Sequence, residues 1–289
     1  MQRVLGVIGG SGVYDVPGLT HISEHEVRTP FGAPSSSVIE GRLGEVRLLF
    51  LPRHGKNHHL APHQINYRAN VCALKLLGAE QLVSISAVGS MKEDIHPGDV
   101  VIVDQYIDLT KRRESTFFDQ GIVAHVGFAD PVCKALAQAG AVALEEAGAR
   151  VVVGGTYVCI EGPQFSTRAE SELYRSWGVS VIGMTAMPEA KLAREAELPY
   201  ATLAFVTDYD CWHRTHAAVS VDAVLQVLQS NSALAKRALA LLAPSLPDPA
   251  RSPASSALKY ALLTPLERAT SASRDHLAWL LKPYLENKA

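Results

Sequence analysis

Two carboxylates one residue apart, Asp208 and Asp210, close the apolar run in LAFVTDYDCW at residues 203–212. Acids this close repel each other, and neither leaves water without a partner. A solvated turn is the plain reading of the pair. Five further stretches bear on whether that reading holds. GVIGGSG sets Gly9, Gly10, Ser11 and Gly12 behind the first apolar run. Glycines there let backbone N–H groups approach an anion, and Ser11 adds a hydroxyl. The spacing matches neither a dinucleotide fingerprint nor a P-loop. LPRHG supplies Arg53, a planar fork of donors for phosphate, and His54, which gives or takes a proton. SISAVGS brings Ser84, Ser86, Ala87 and Gly89 to the end of another apolar run. EGPQFST and VIGMTAMPEA follow suit, with Phe165 and Ser166 in one and Met184 and Thr185 in the other. Ser166 and Thr167 stand where a helix N-terminus presents N–H groups to an anion. Each stretch alone also reads as a tight turn, but together they describe a site for phosphate plus a small, partly apolar molecule.

His54, His58, His59 and His63 invite a metal reading. No acidic or cysteine ligand flanks them, so His58 and His59 are expected on a surface loop and no metal is expected.

The elements that must carry these residues alternate. Apolar runs at 4–8, 46–51, 81–86, 99–104, 151–160, 179–183 and 200–207 are mostly continuous, as in central strands covered on both faces. Helical patterns occupy 64–77, 130–147 (capped by Asp130, with Pro131 first), 166–177, 188–197 and 221–242, the last capped by Ser220. This is the pattern of a single α/β domain over residues 1–243 with a central mixed sheet flanked by helices. A proline- and serine-rich stretch at 244–256 reads as a linker, and 257–289 as a C-terminal segment with an amphipathic helix over 271–282, stopped or kinked by Pro283.

A formal charge of −2 provides no field for a polyanion, so neither nucleic acid nor a membrane is expected as a partner. Cys72, Cys133, Cys159 and Cys211 form no C-x-x-C pair and fit a reducing compartment. With no signal peptide or membrane-length apolar run in the sequence, a cytoplasmic location is expected.

The motifs IGGSG, TPFG, PRHG, NYRAN, SAVGS, PGD, EGPQFSTRAE, GMTAMPEA and TDYD follow one another in the order of a known family. Over about residues 4–263 the sequence resembles the trimeric-type purine nucleoside phosphorylases, and within them the methylthioadenosine phosphorylase family. Residues 264–289 lie outside that match.

The resemblance implies attack of phosphate on C1′ of a nucleoside, releasing the base and leaving an inverted sugar 1-phosphate. It assigns phosphate to Ser11, Arg53, His54, Ser86, Ser166 and Thr185, with Ser86 where many relatives have threonine. Ala87 and Met184 would line the ribose, and Phe165 the base. Asp208 would face purine N7 as the general acid, and Asp210 would accept from a 6-amino group. Relatives selective for 6-oxopurines typically carry asparagine at the first acid position. Val221, Val224 and Leu225 would form an apolar 5′ pocket suited to a methylthio group, where nucleoside phosphorylases of this group place a histidine. His125 from an adjacent subunit, and Leu262 or Leu263 from the tail, would close that pocket.

The implied activity is phosphorolysis of S-methyl-5′-thioadenosine by inorganic phosphate as cosubstrate, with no cofactor, in a homotrimer or a dimer of trimers. A 6-oxopurine or methylthioinosine phosphorylase, a nucleoside hydrolase and a non-catalytic nucleoside-binding module are the alternatives. Kinetics with and without phosphate separate them.

Overall fold

The computed structural model describes residues 3–10, 15–213 and 221–286, the side chains of 221–230 excepted. The first half contains β1 (Val4–Gly9), β2 (Thr20–His25), β3 (Val38–Leu43), β4 (Val46–Pro52), α1 (Tyr67–Leu76), β5 (Gln81–Ser90), β6 (Val100–Ile102), β7 (Gln105–Asp108) and α2 (Lys134–Glu146). Then follow β8 (Val151–Val153), β9 (Thr156–Cys159), α3 (Arg168–Ser176), β10 (Val181–Gly183), α4 (Ala186–Glu195), β11 (Tyr200–Asp208), α5 (Val221–Leu242), α6 (Ser271–His276) and α7 (Ala278–Glu286).

The strands form one mixed sheet in the order β2-β3-β4-β1-β5-β10-β9-β7, with β11 joining β5 to β6 and β8. β1, β4 and β11 are buried almost throughout, as their unbroken apolar runs require when helices cover both faces. One face packs Val71 and Leu74 of α1, Ala190 and Leu192 of α4, and Leu280 and Leu281 of α7. The other packs Leu136 and Leu144 of α2 against Leu239 and Leu242 of α5.

The central strand β5 positions the site. β11 runs parallel to it from Leu82 to Gly89 along one edge. Along the other, β1 pairs only with residues 81–84, and β10 joins antiparallel at Gly89 and Ser90. The two neighbours diverge around residues 85–88, and Ala87 is exposed there on an otherwise buried strand. Such a split, at the carboxyl ends of parallel strands, is where open α/β sheets hold ligands.

Several expected boundaries move. The run at 151–160 is two strands, because Gly154 and Gly155 turn the chain with φ of +87° and +137°. β8 therefore pairs with β6, and β9 with β10 and β7. A Cβ on Gly155 would lie 2.7 Å from Ser180 Oγ, so glycine also permits the close approach. The helix expected from Asp130 starts at Lys134, because the Cys133 amide donates to Tyr200 O at 2.8 Å and holds the preceding residues against β11. Residues 244–256 are not a free spacer. Their prolines open short 3-10 turns, Leu246 and Ala254 are buried, and Gln81 Nε2 donates to Pro247 O at 3.0 Å. The terminal helix divides at Leu277 and runs through Pro283 to Glu286. The hairpin of β2 and β3 escapes the apolar pattern because β2, THISEH, is an exposed edge strand held by its pairing to β3.

Candidate active site

The strand β11 ends in the acid pair because its register with β5 shifts between Val206 and Asp208, so that Asp208 faces Gly89. A Cβ on Gly89 would lie 2.9 Å from Asp208 Oδ1 and 3.4 Å from Asp210 Cβ, so only glycine lets the acids close on the sheet. Asp208 accepts from Thr207 Oγ1 at 2.6 Å and from the Asp210 amide at 2.7 Å. Asp210 is buried, has a left-handed backbone with φ of +52°, and accepts from Ser171 Oγ at 2.6 Å. Burial raises the pKa of both acids, and repulsion by Asp210 raises Asp208 further. Hydrogen bonds to Thr207 and the Asp210 amide oppose the rise at Asp208 without cancelling it. The solvated turn is thereby ruled out, and the pair is built to hold a proton above the usual aspartate range.

Arg53 sits in the split of the sheet. Its guanidinium donates to Ile8 O at 3.2 Å, Ile85 O at 3.1 Å and Ser84 Oγ at 2.7 Å, and pairs with Glu189 at 2.8 and 3.1 Å. Burial alone would lower its pKa, but the Glu189 carboxylate holds it above the ordinary value. The Nε–Nη2 side of the fork is thus committed to Glu189. What Arg53 offers a ligand is its charge and one Nη1–H, the other being given to Ile85 O. His54 Nδ1 donates to Leu60 O, 2.8 Å away, and the ring stacks on His58 with centroids 4.2 Å apart. A carbonyl only accepts, so Nδ1 carries the proton and Nε2 presents a lone pair. Burial lowers the His54 pKa to about 4. His58 and His59 are exposed, and among the described residues no group of three or more His, Cys, Asp or Glu could hold a metal ion.

Ser86 and Thr185, 99 residues apart, meet with their hydroxyl oxygens 3.3 Å apart, and Tyr157 OH lies 3.2 Å from Ser86 Oγ. Thr185 is the N-cap of α4, but its side chain makes no capping bond, which leaves the hydroxyl available. Ala87, next to Ser86, is exposed, and Met184, next to Thr185, is half-buried.

Ser166 precedes α3, whose N-terminus already holds the Glu170 carboxylate in a capping box with Thr167. This box engages the Thr167 and Glu170 amides of that helix end. Ser166 lies against Cys211, whose Sγ is 3.4 Å from its carbonyl, and its own buried Oγ has no partner among the described residues. Phe165 is 57% exposed. His125 is exposed, and its amide donates to Ala261 O at 2.9 Å, beside the Ala124–Leu262 bridge. The two expected contributors to a neighbouring pocket, His125 and the tail leucines, thus share one surface. Ser11 and the side chains of Val221, Val224 and Leu225 lie outside the described residues.

Sequence reasoning missed Glu189, Tyr157, Ser171 and Arg113. Arg113 Nη1 donates to Met184 O at 2.7 Å and to Met187 O at 2.6 Å, fixing the turn that carries Thr185. Glu189 and Ser171 lie inside the quoted GMTAMPEA motif and beside EGPQFSTRAE, but Arg53 and Asp210, which tie them to the site, are more than 35 positions away in sequence. No local pattern reveals such pairings.

The sequence profile of the phosphorylase superfamily matches residues 4–243. The S-methyl-5′-thioadenosine phosphorylase of Geobacter sulfurreducens is 51% identical over 286 residues, covering 99% of this chain and 100% of that protein. The S-methyl-5′-thioadenosine phosphorylase of Hyperthermus butylicus is 51% identical over 263 residues, covering 90% of this chain and 95% of the relative. The crystal structure of a methylthioadenosine phosphorylase from an antarctic soil metagenomic library superposes with a TM-score of 0.92 at 47% identity, covering 97% and 100% of the two chains. A mutant of the adenosine/methylthioadenosine phosphorylase from Schistosoma mansoni, in complex with methylthioadenosine, gives 0.82 at 36% identity, covering 89% of this chain and 96% of that one. The chain belongs to the phosphorylase superfamily and, within it, to the S-methyl-5′-thioadenosine phosphorylases.

Proposed function

We propose that the protein cleaves S-methyl-5′-thioadenosine with inorganic phosphate, giving adenine and 5-methylthio-α-D-ribose 1-phosphate. The observation that carries this reading is the acid pair facing Gly89 on the strand that also bears Ser86. Three residues of strand separate them by ~10 Å, room for a ribose between a phosphate and a purine. Phosphate would sit at Ser86 and Thr185 with the charge of Arg53 and the His54 ring, and Ser11 would close it. Ser166, whose buried hydroxyl has no partner among the described residues, would also meet the phosphate. Ala87 and Met184 would border the ribose and Phe165 the base.

In the reaction a phosphate oxygen bonds to C1′ as the C1′–N9 bond breaks and its electron pair moves into the purine. Asp208, whose pKa is raised by burial and by its neighbour Asp210, would give its proton to N7. Asp210, ionised, accepts from the 6-amino group. No metal or cofactor is needed for these steps. The apolar side chains Val221, Val224 and Leu225 would receive the methylthio group, with His125 of a neighbouring copy closing the pocket in a trimer or a dimer of trimers.

The catalytic unit would comprise residues 1–243, with 257–289 serving the tail contacts. Among the described residues no helix is long and apolar enough to cross a membrane, and a cytoplasmic location would go with this metabolic role.

Steady-state kinetics on methylthioadenosine, adenosine and inosine, with and without phosphate, test the reading. Adenine release from methylthioadenosine that requires phosphate is expected. Cleavage independent of phosphate, or turnover of inosine alone, would overturn it.

A further inference from the structure

Asp210 is held by side-chain donors at Oδ2 and by the Cys211 backbone. Ser171 Oγ reaches Oδ2 at 2.6 Å, and the weaker Cys211 thiol contact, at 3.9 Å, falls on the same atom. Ser171 is fully buried on α3, a helix whose start is set independently by the Thr167 capping box. The side chain of a residue in the left-handed region must be held by its surroundings. Here the holding bonds include the Asp210 amide to Asp208 Oδ1 and Ser171 to Oδ2.

We propose that Ser171 is a positioning residue: by donating to Oδ2 it keeps Asp210 oriented as an acceptor, and so sets the preference for a 6-amino over a 6-oxo purine. The proposal rests on the base-site reading above. Its chemistry is a matter of proton direction. An exocyclic amine donates and needs an acceptor, whereas a keto oxygen accepts and needs a donor. An ionised carboxylate only accepts. Burial and the nearby Glu170 push Asp210 toward its protonated, donating form; Ser171 and, more weakly, Cys211 push it back. Remove the Ser171 hydroxyl and the first two act with less opposition. Asp210 then takes up a proton more readily and can face a keto group.

The experiment compares Ser171→Ala with the parent and with Asp210→Asn, measuring kcat/KM for methylthioadenosine and methylthioinosine at saturating phosphate, and the phosphate KM separately. The ratio of the two kcat/KM values should fall about tenfold in Ser171→Ala, the size expected for a hydrogen bond to a charged group. The phosphate KM should stay within about twofold of the parent, since Ser171 is not placed at phosphate. Ser171→Thr, which restores a hydroxyl, should retain the parent ratio. If Ser171→Ala does not fold, Ser171→Cys, with a poor donor of similar size, is held to the same criterion. A parallel loss for both nucleosides, or an unchanged ratio, while Asp210→Asn does shift it, would show Ser171 to be merely structural. An unchanged ratio in Asp210→Asn as well would bring down the base-site reading itself.

Discussion

Arg53 and Glu189, 136 residues apart in sequence, form a two-point ion pair at 2.8 and 3.1 Å with both side chains almost wholly buried. Tyr200 OH donates to the same carboxylate at 2.9 Å. The pair fills the split between β1 and β5, so the cation beneath the proposed phosphate site is held by the fold itself. Removing one partner leaves an uncompensated buried charge. Glu189→Ala should therefore lose about 3–5 kcal/mol of stability. Urea unfolding measures this, and a loss below about 1 kcal/mol would mean the pair is open to water. Replacing both residues by apolar ones of similar size should recover much of the stability and none of the activity.

Asp208 links catalysis to pH and stability. Burial, ahead of repulsion by Asp210, raises its pKa above the ordinary aspartate value of 3.8, so the folded chain holds this proton more tightly than the unfolded one. The stability it contributes is present in full below that ordinary value and is lost as pH rises through the raised one. Asp208→Asn carries no titrating group there. It should melt no lower than the parent at neutral pH, with a flatter dependence of Tm on pH, while turnover of methylthioadenosine drops about 10²-fold or more. Asp208→Ala should be at least as inactive. Variants with near-parental turnover would remove Asp208 from the mechanism.

Gly89→Ala isolates geometry from chemistry. The added methyl would meet Asp208 Oδ1 at 2.9 Å and Ile182 Cγ2 at 3.1 Å, with no unusual backbone angle to complicate the result. Moving the acid by a fraction of an ångström should cost about tenfold or more in kcat/KM for methylthioadenosine. The phosphate KM should change far less. An unchanged kcat/KM would mean that the acid pair need not lie this close to β5.

The shared surface of His125 and the tail is open to a direct test. Val123, Tyr260 and Leu263 are all exposed on it, and Leu263 donates its amide to Val123 O at 2.9 Å. If His125 closes a neighbour's pocket, His125→Ala should raise the KM for methylthioadenosine several-fold without lowering Tm, and specific activity should fall on dilution below the assembly constant. A fully active monomer in sedimentation under assay conditions would contradict the composite pocket.

Much of the site was legible because its residues sit at the ends of apolar strands, where glycine and hydroxyl residues interrupt a pattern that is otherwise continuous. The acid pair after β11, Ser86 on β5 and Thr185 after β10 all announce themselves in this way. The residues that hold them do not. Glu189, Ser171, Arg113 and Tyr157 lie within helices, strands or ordinary loops, and only their distant partners give them a role. Local composition also misled at 244–256, where prolines suited to a spacer instead open packed turns.

The sequence by itself determined the chemistry on offer: strand-end hydroxyls, a buried-prone arginine, a histidine and two acids, in an order shared with one family. Only the tertiary structure decided which of these face one another, because that depends on where β1 and β10 part from β5. It also decided their charge states, since burial beside Gly89 and bonds from Thr207 and Ser171 shift the acids in ways that no stretch of sequence carries.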